Sequence, residues 1–196
     1  MDGERALAAC SESMTRGHQE RLAPMVREVM TAAGLEFDDL QRVAVTVGPG
    51  SFTGLRVGLA FAKGLGLALG LPVAGIGTLE GLAGVSPARC ASIVDAGRGR
   101  VYVQAFLEGA AVSQPASLEL AEAGILLRDL LGDQARLTGP GASLLAPLLP
   151  LWELEKRAAP DPLALARLAA TCPLRPAQPL YLRAPDATPK ALRQPR

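Results

Sequence analysis

The sequence predicts an α/β fold in which short strands and helices alternate. Three observations predict it. Val43–Val47 (VAVTV) is an apolar, largely β-branched run too short to form a helix. The turn Gly48-Pro49-Gly50-Ser51-Phe52 follows, and from it an apolar helix runs to Gly70. Leu71-Pro72 stops that helix, and a second short strand, Val73–Ile76, leads into a helix from Thr78 through Gly84. Strand, helix, strand, helix in this order is the βαβ pattern.

The remaining elements follow along the chain. Asp2-Gly3 is a strong hairpin signal, with Glu4–Cys10 as the second strand and only Met1 before the turn. An N-terminal first strand is therefore expected to be missing. Ser11–Gly17 is a polar loop. His18–Ala33 reads as a helix ended by Gly34, with Leu22, Met25, Val26, Val29, Met30 and Ala33 repeating at three and four. Pro24 is tolerated near its start, where amides are unpaired. Cys90–Asp95 and Val101–Leu107 are strands joined by the Gly/Arg turn Ala96–Arg100. Leu118–Leu131 contains an amphipathic helix ended by Gly132. Arg136–Thr138 is a short strand, Ala142–Leu149 an apolar helix, and Asp161 caps a helix over Pro162–Thr171 with proline first. Pro173–Arg196 is proline-rich and reads as extended. Ser86-Pro87 marks a boundary, giving a first lobe over 1–87, a second over 88–183 and a flexible tail over 184–196.

Composition excludes several function classes. Apolar residues make up 49% of the 196, enough for a core without disulfides. A net charge of +1 provides no global field to draw nucleic acid or a membrane surface. The three cysteines, Cys10, Cys90 and Cys172, are scattered without a CxxC, which argues against zinc and for a cytoplasmic, reducing compartment. Arg56, Lys63 and Pro72 interrupt the most hydrophobic run, which argues against a membrane span.

Within the long helix, Gly54, Gly58, Ala62, Gly66 and Gly70 fall at every fourth position. Residues four apart stack on one helix face, so this row is a smooth groove. Helix glycines each cost about 1 kcal/mol relative to alanine, and the row needs a compensating contact. Two causes are open: close packing on the chain's own sheet, or close approach of a helix from another chain.

Chemical motifs are sparse. The turn is GxGxxxG without the lysine of a phosphate loop. Gly48, Gly50, Ser51 and Thr53 are candidate nucleotide or anion contacts, since amides at a helix start attract anions. Strand, glycine turn and helix are equally ordinary architecture. His18 is the only histidine, with only Glu20 near it as a ligand partner, and no GxSxG occurs, so no metal site and no catalytic constellation is expected. Asp95 lies at a strand end before Arg98 and Arg100, either as a cation ligand or as a turn residue paired with arginine. A nucleotide-binding, ATPase-like enzyme acting alone remains the alternative reading.

RGHQERLAPMV (Arg16–Val26), VGPGSFTGLRVGLAFAKGLG (Val47–Gly66), PVAGIGTLEGLA (Pro72–Ala83), DAGRGRVY (Asp95–Tyr102) and PLYLR (Pro179–Arg183) together resemble the TsaB (YeaZ) family. The second block is the most specific. The resemblance implies an actin-like, ribonuclease H-like fold of two lobes whose first strand, of the type ILAIDTS, is absent here. It implies a non-catalytic subunit in the making of threonylcarbamoyladenosine beside the tRNA anticodon. The metal and nucleotide then belong to the paralogue TsaD, which forms a heterodimer through first-lobe helices. A TsaE-type ATPase docks at the junction, ATP or ADP enters only with the complex, and tRNA is met indirectly. Apart from the resemblance, the apolar helices would seek cover when no partner is present, so homodimer and monomer are both open for the isolated chain. The family's older glycoprotease label does not imply peptidase activity. On this chain the helices implied for pairing carry His18, Arg21, Leu22, Met25, Val29, Gly54, Arg56, Gly58, Ala62 and Gly66.

Overall fold

The computed structural model describes residues 1, 2, 5–12, 17–86 and 88–182, with His18 by its backbone alone. The first lobe contains α1 (His18–Ala33), β1 (Val43–Thr46), α2 (Phe52–Leu69), β2 (Val73–Ile76) and α3 (Thr78–Ala83). The second contains β3 (Cys90–Gly97), β4 (Arg100–Leu107), β5 (Ala110–Ala111), β6 (Ala116–Glu119), α4 (Leu120–Leu131), β7 (Arg136–Thr138), α5 (Ala142–Leu145) and β8 (Glu153–Glu155). A final helix, α6 (Pro162–Thr171), returns to the first.

Local chemistry sets the helix ends. Gly34, at φ +66°, closes α1 by donating to the carbonyls of Met30 and Thr31. The Ser51 hydroxyl accepts from the Gly54 amide at 3.4 Å and opens α2. Gly70, at φ +65°, ends it. The Asp161 carboxylate accepts from the Leu163 amide at 3.3 Å, with Pro162 at the first helical position of α6.

β1 and β2 pair in parallel, Val43 opposite Val73 and Thr46 opposite Ile76. Successive strand residues point to opposite faces. Val45, Val47 and Val73 meet Leu55 and Leu59 of α2. Ala74 and Ile76 point the other way, against Leu165, Leu168 and Ala169 of α6. Among the described residues no second strand pairs with β1, whose other edge is open. The second lobe is a sheet in the order β5-β4-β3-β7-β8, with β6 also beside β4. Its core packs Ile93, Val101, Leu127, Leu137, Leu145 and Trp152. Leu79 and Leu82 of α3 pack on Val94, tying the two lobes together.

Several boundaries differ from the sequence reading. Asp2 and Arg5 exchange both backbone hydrogen bonds, and residues 3 and 4 lie outside the described set. The described part of Glu4–Cys10 forms no strand; only Arg5 makes that one bridge. Thr78 begins α3 but does not cap it: the Glu80 carboxylate accepts from the Gly77 amide at 2.9 Å and does the capping. The expected helix Ala142–Leu149 is α5 followed by a 3-10 turn at Ala146–Leu148. β5, β6 and β8 were not anticipated.

The division at 88–183 also differs from the packing. After α6 the chain runs back over the first sheet. The Gly75 amide donates to Arg175, Pro176 bridges Ala74, and the Leu180 amide donates to Val47 at 2.7 Å. Ala177 is buried with Leu55 and Leu59. Residues 173–182 therefore strap the first lobe. Pro87 and the predicted tail, 184–196, lie outside the described residues.

Candidate functional site

Helix α2 has two rows of residues spaced by four, one on each side. The inward row is the one singled out from the sequence. Ala62 and Gly66 are buried. A β-carbon at Gly66 would overlap the Val73 side chain and come within 3.0 Å of the Leu71 carbonyl oxygen. One at Gly58 would lie 3.9 Å from Val45. Gly54 sits behind the Ser51 hydroxyl. The row thus brings α2 onto its own sheet, most closely at Gly66, which is the first of the two causes that the spacing left open. The glycines were legible; the neighbour they face was not.

The outward row is Phe52, Arg56, Ala60, Gly64 and Ala68, also four apart and all exposed. Leu67 beside it is 87% exposed. A β-carbon at Gly64 would meet nothing within 4 Å. Between this helix and α1 lies an apolar groove of about 290 Å³, lined chiefly by Ala23, Val26, Phe61, Leu65 and Leu69. Leu22, Met25 and Val29 of α1 are half-buried. The α2 helix is 18 residues long with a mean hydropathy of 1.3, enough by length and composition to cross a membrane. Its Leu55, Leu59, Ala62 and Gly66 instead sit on the sheet of their own lobe.

Arg21 occupies the gap between Glu12 and Glu28. It donates to both carboxylates, with Arg21 Nη1 2.6 Å from Glu28 Oε1. The guanidinium lowers the pKa of both carboxyls, and they in turn raise its own. Cys10, Glu12 and Glu28 bring ligand-type atoms within 4.8 Å of one another, but the cation held by the two carboxylates is Arg21. The His18 side chain lies outside the described residues.

The candidate anion contacts are divided. Gly48 is buried, at φ +105°, and its carbonyl accepts from the Thr78 amide at 2.8 Å. It lines a cleft of about 420 Å³ between the lobes. Gly50, Ser51 and Thr53 are exposed and do not line that cleft. The cleft's charged side chains are Glu80 and Arg175, joined by two hydrogen bonds of 2.7 and 2.8 Å. Burial pushes the Glu80 carboxyl up, but the Arg175 guanidinium and the Gly77 amide outweigh it and leave the pKa lowered. Gln104, 5% exposed, also lines the cleft, and its Nε2 donates to the Ser113 carbonyl. Asp95 is not in the cleft: its carboxylate accepts from the Gly97 amide at 2.7 Å, as an ordinary turn residue does. The two halves of the nucleotide reading, Gly48–Thr53 and Asp95, are therefore not assembled into one pocket.

Sequence reasoning missed three features. Glu80 and Arg175 are 95 residues apart, and Arg56 and Tyr181 are 125 apart; no local pattern joins either pair. The outward row was available, because the same four-residue spacing that marks Gly58 and Gly66 also marks Ala60 and Gly64.

Comparison with known proteins gives a consistent picture. Residues 10–123 match the family model described as TsaD: tRNA N6-adenosine threonylcarbamoyltransferase. An uncharacterised protein of Mycobacterium tuberculosis is 37% identical over 194 residues, covering 90% of this chain and 80% of its own. The Escherichia coli protein described as tRNA threonylcarbamoyladenosine biosynthesis protein TsaB is 38% identical over 96 residues, 46% of this chain and 42% of its own. Among solved structures, a Pseudomonas aeruginosa protein described as uncharacterised with similarity to peptidase YeaZ superposes with a TM-score of 0.73. It is 27% identical, over 88% of this chain and 87% of that one. The two-lobed α/β architecture is thus of the actin-like, ribonuclease H-like type. A family-model match over more than half of the chain, with TsaB and YeaZ proteins among the relatives, means that this chain belongs to the TsaD family, on its TsaB (YeaZ) branch.

Proposed function

We propose that this protein is a non-catalytic subunit in tRNA threonylcarbamoyladenosine biosynthesis that pairs with a TsaD-type threonylcarbamoyltransferase through α1 and α2. The observation that carries the reading is the outward face of α2. An 18-residue helix with mean hydropathy 1.3 leaves Phe52, Ala60, Gly64 and Leu67 uncovered beside an apolar groove. Exposed apolar surface of this kind marks a protein interface, and small residues let a second helix approach closely along ridges and grooves.

The chain's own chemistry supports a supporting role. The one histidine cannot form a paired-histidine metal site. Asp95 is taken up in a turn, and the cleft's one charged pair is internally neutralised. On this reading the metal and the ATP or ADP are held by the complex and not by this chain alone. A TsaE-type ATPase docks beside the pairing helices, and tRNA is contacted through the partner. In the partner's absence the same face joins two copies. Work on tRNA gives the protein a cytoplasmic location.

Gly64→Leu tests the pairing. The position is open to solvent, and leucine is the better helix former by about 1 kcal/mol, so the variant stays folded. It should lose co-purification with the cognate TsaD-type protein and fail to support threonylcarbamoyladenosine formation in a reconstituted reaction. A folded Gly64→Leu variant that pairs as tightly as the wild type would refute the assignment of this face.

A further inference from the structure

Where residue 181 meets the first turns of α2, three side chains form a cluster that neither lobe requires for its core. The Arg56 guanidinium carbon lies 3.7 Å from the centroid of the Phe52 ring. Its Nε donates to the Tyr181 hydroxyl at 3.3 Å. The Phe52 and Tyr181 rings are 5.7 Å apart and inclined at 37°. Phe52 is 52% and Tyr181 49% exposed, so the cluster lies on the surface. The strap that carries Tyr181 is tied to the first sheet beside it, the Leu180 amide donating to Val47 at 2.7 Å.

We propose that Phe52 and Tyr181 hold Arg56 as a preset receptor for a carboxylate of the partner, which makes the chain's terminal strap part of the docking face. The proposal rests on the reading of α2 as the pairing surface. Ring and hydroxyl engage the face and the Nε of the guanidinium. The described residues place no hydrogen bond on its two terminal nitrogens, the pair that grips a carboxylate bidentately. A long side chain held in advance loses less freedom on binding. Exposed Phe, Tyr and Arg together have the composition of an interface hot spot.

Charge determines the occupant. Between Phe52 and Leu69 the charged residues are Arg56 and Lys63, both exposed, and no Asp or Glu lies on the helix. No carboxylate on α2 itself therefore answers Arg56. A nucleic-acid backbone would need a track of cations, whereas the helix offers only Arg56 and Lys63, seven residues apart, among the exposed Phe52, Ala60, Gly64 and Leu67. A carboxylate on a protein helix fits that surface better.

The test uses the full chain and its cognate TsaD-type transferase, with the dissociation constant measured across a range of NaCl. Arg56→Gln should raise the Kd about tenfold and flatten its salt dependence, as expected for loss of one charge-assisted contact. Tyr181→Ala should weaken binding several-fold, and Tyr181→Phe less, because the ring stays. The double variant Arg56→Gln/Tyr181→Ala should be no weaker than Arg56→Gln, since Tyr181 acts through Arg56. An unchanged Kd and salt slope in Arg56→Gln overturns this inference alone, and so do fully additive losses. A loss of tRNA retention without a change in protein affinity would assign Arg56 to phosphate and also overturn it. If the wild-type proteins do not bind at all, the pairing itself fails.

Discussion

Arg175 grips Glu80 with both terminal nitrogens, at 2.7 and 2.8 Å, and so ties the strap to the first turn of α3. The same carboxylate accepts from the Gly77 amide. One side chain thus caps a helix, anchors the chain's return to its first lobe and closes one wall of the interlobe cleft.

The latch has a defined pH signature. The Glu80 pKa is lowered in the folded protein, so its stabilisation is present in full above the ordinary carboxylate pKa of about 4.3 and is lost as pH falls through the lower folded value. Glu80→Gln should cost about 1 kcal/mol at pH 7, a modest figure because Arg175 is partly solvated. The gap between wild type and variant should stay level down to about pH 5 and narrow below that. Urea unfolding across pH measures it. A gap absent at neutral pH, or constant down to about pH 3, would contradict the latch.

Gly66 and Gly58 should respond oppositely to the same substitution. At Gly66 an added methyl overlaps Val73, and the sheet must give way, at a cost of about 1–3 kcal/mol. At Gly58 the methyl meets Val45 at an ordinary 3.9 Å. There alanine should gain up to about 1 kcal/mol of helix propensity. Thermal melts of Gly66→Ala and Gly58→Ala decide the matter, and a stable Gly66→Ala would show that the inward row is not packed on the sheet.

Elements with local punctuation were legible in the sequence. α1 and α6 carry Gly34, Asp161 and Pro162 at their ends, and β2 is bracketed by proline and glycine. Strands defined by their neighbours were not. β8 is Glu153–Glu155, a charged stretch that is a strand because it lies in parallel beside β7. There Arg136 Nε is 3.4 Å from Glu155. β5 and β6 likewise exist as partners of β4. The site was half legible for the same reason. Spacing reveals that α2 has a small-residue row, but only the sheet shows that Gly66 looks inward and Gly64 outward. The clamp on Arg56 depends on Tyr181, whose position is set by a strap that no periodicity announces.

The cleft should not bind ATP in the isolated chain. Its one cationic side chain, Arg175, already has its two terminal nitrogens on Glu80, and a polyphosphate needs charge-assisted donors to replace its water. The serine and threonine at the start of α2 point to the surface and lie outside the cleft. Calorimetry with ATP and Mg²⁺ on the full chain should therefore give no saturable heat up to about 1 mM, an affinity threshold near 4 kcal/mol. Glu80→Gln releases Arg175 and should improve the response to phosphate. Micromolar binding with turnover by the wild-type chain alone would instead restore the reading of an independent nucleotide-binding enzyme. In that case the Glu80–Arg175 pair must open on binding, and Glu80→Gln would then bind ATP more tightly still.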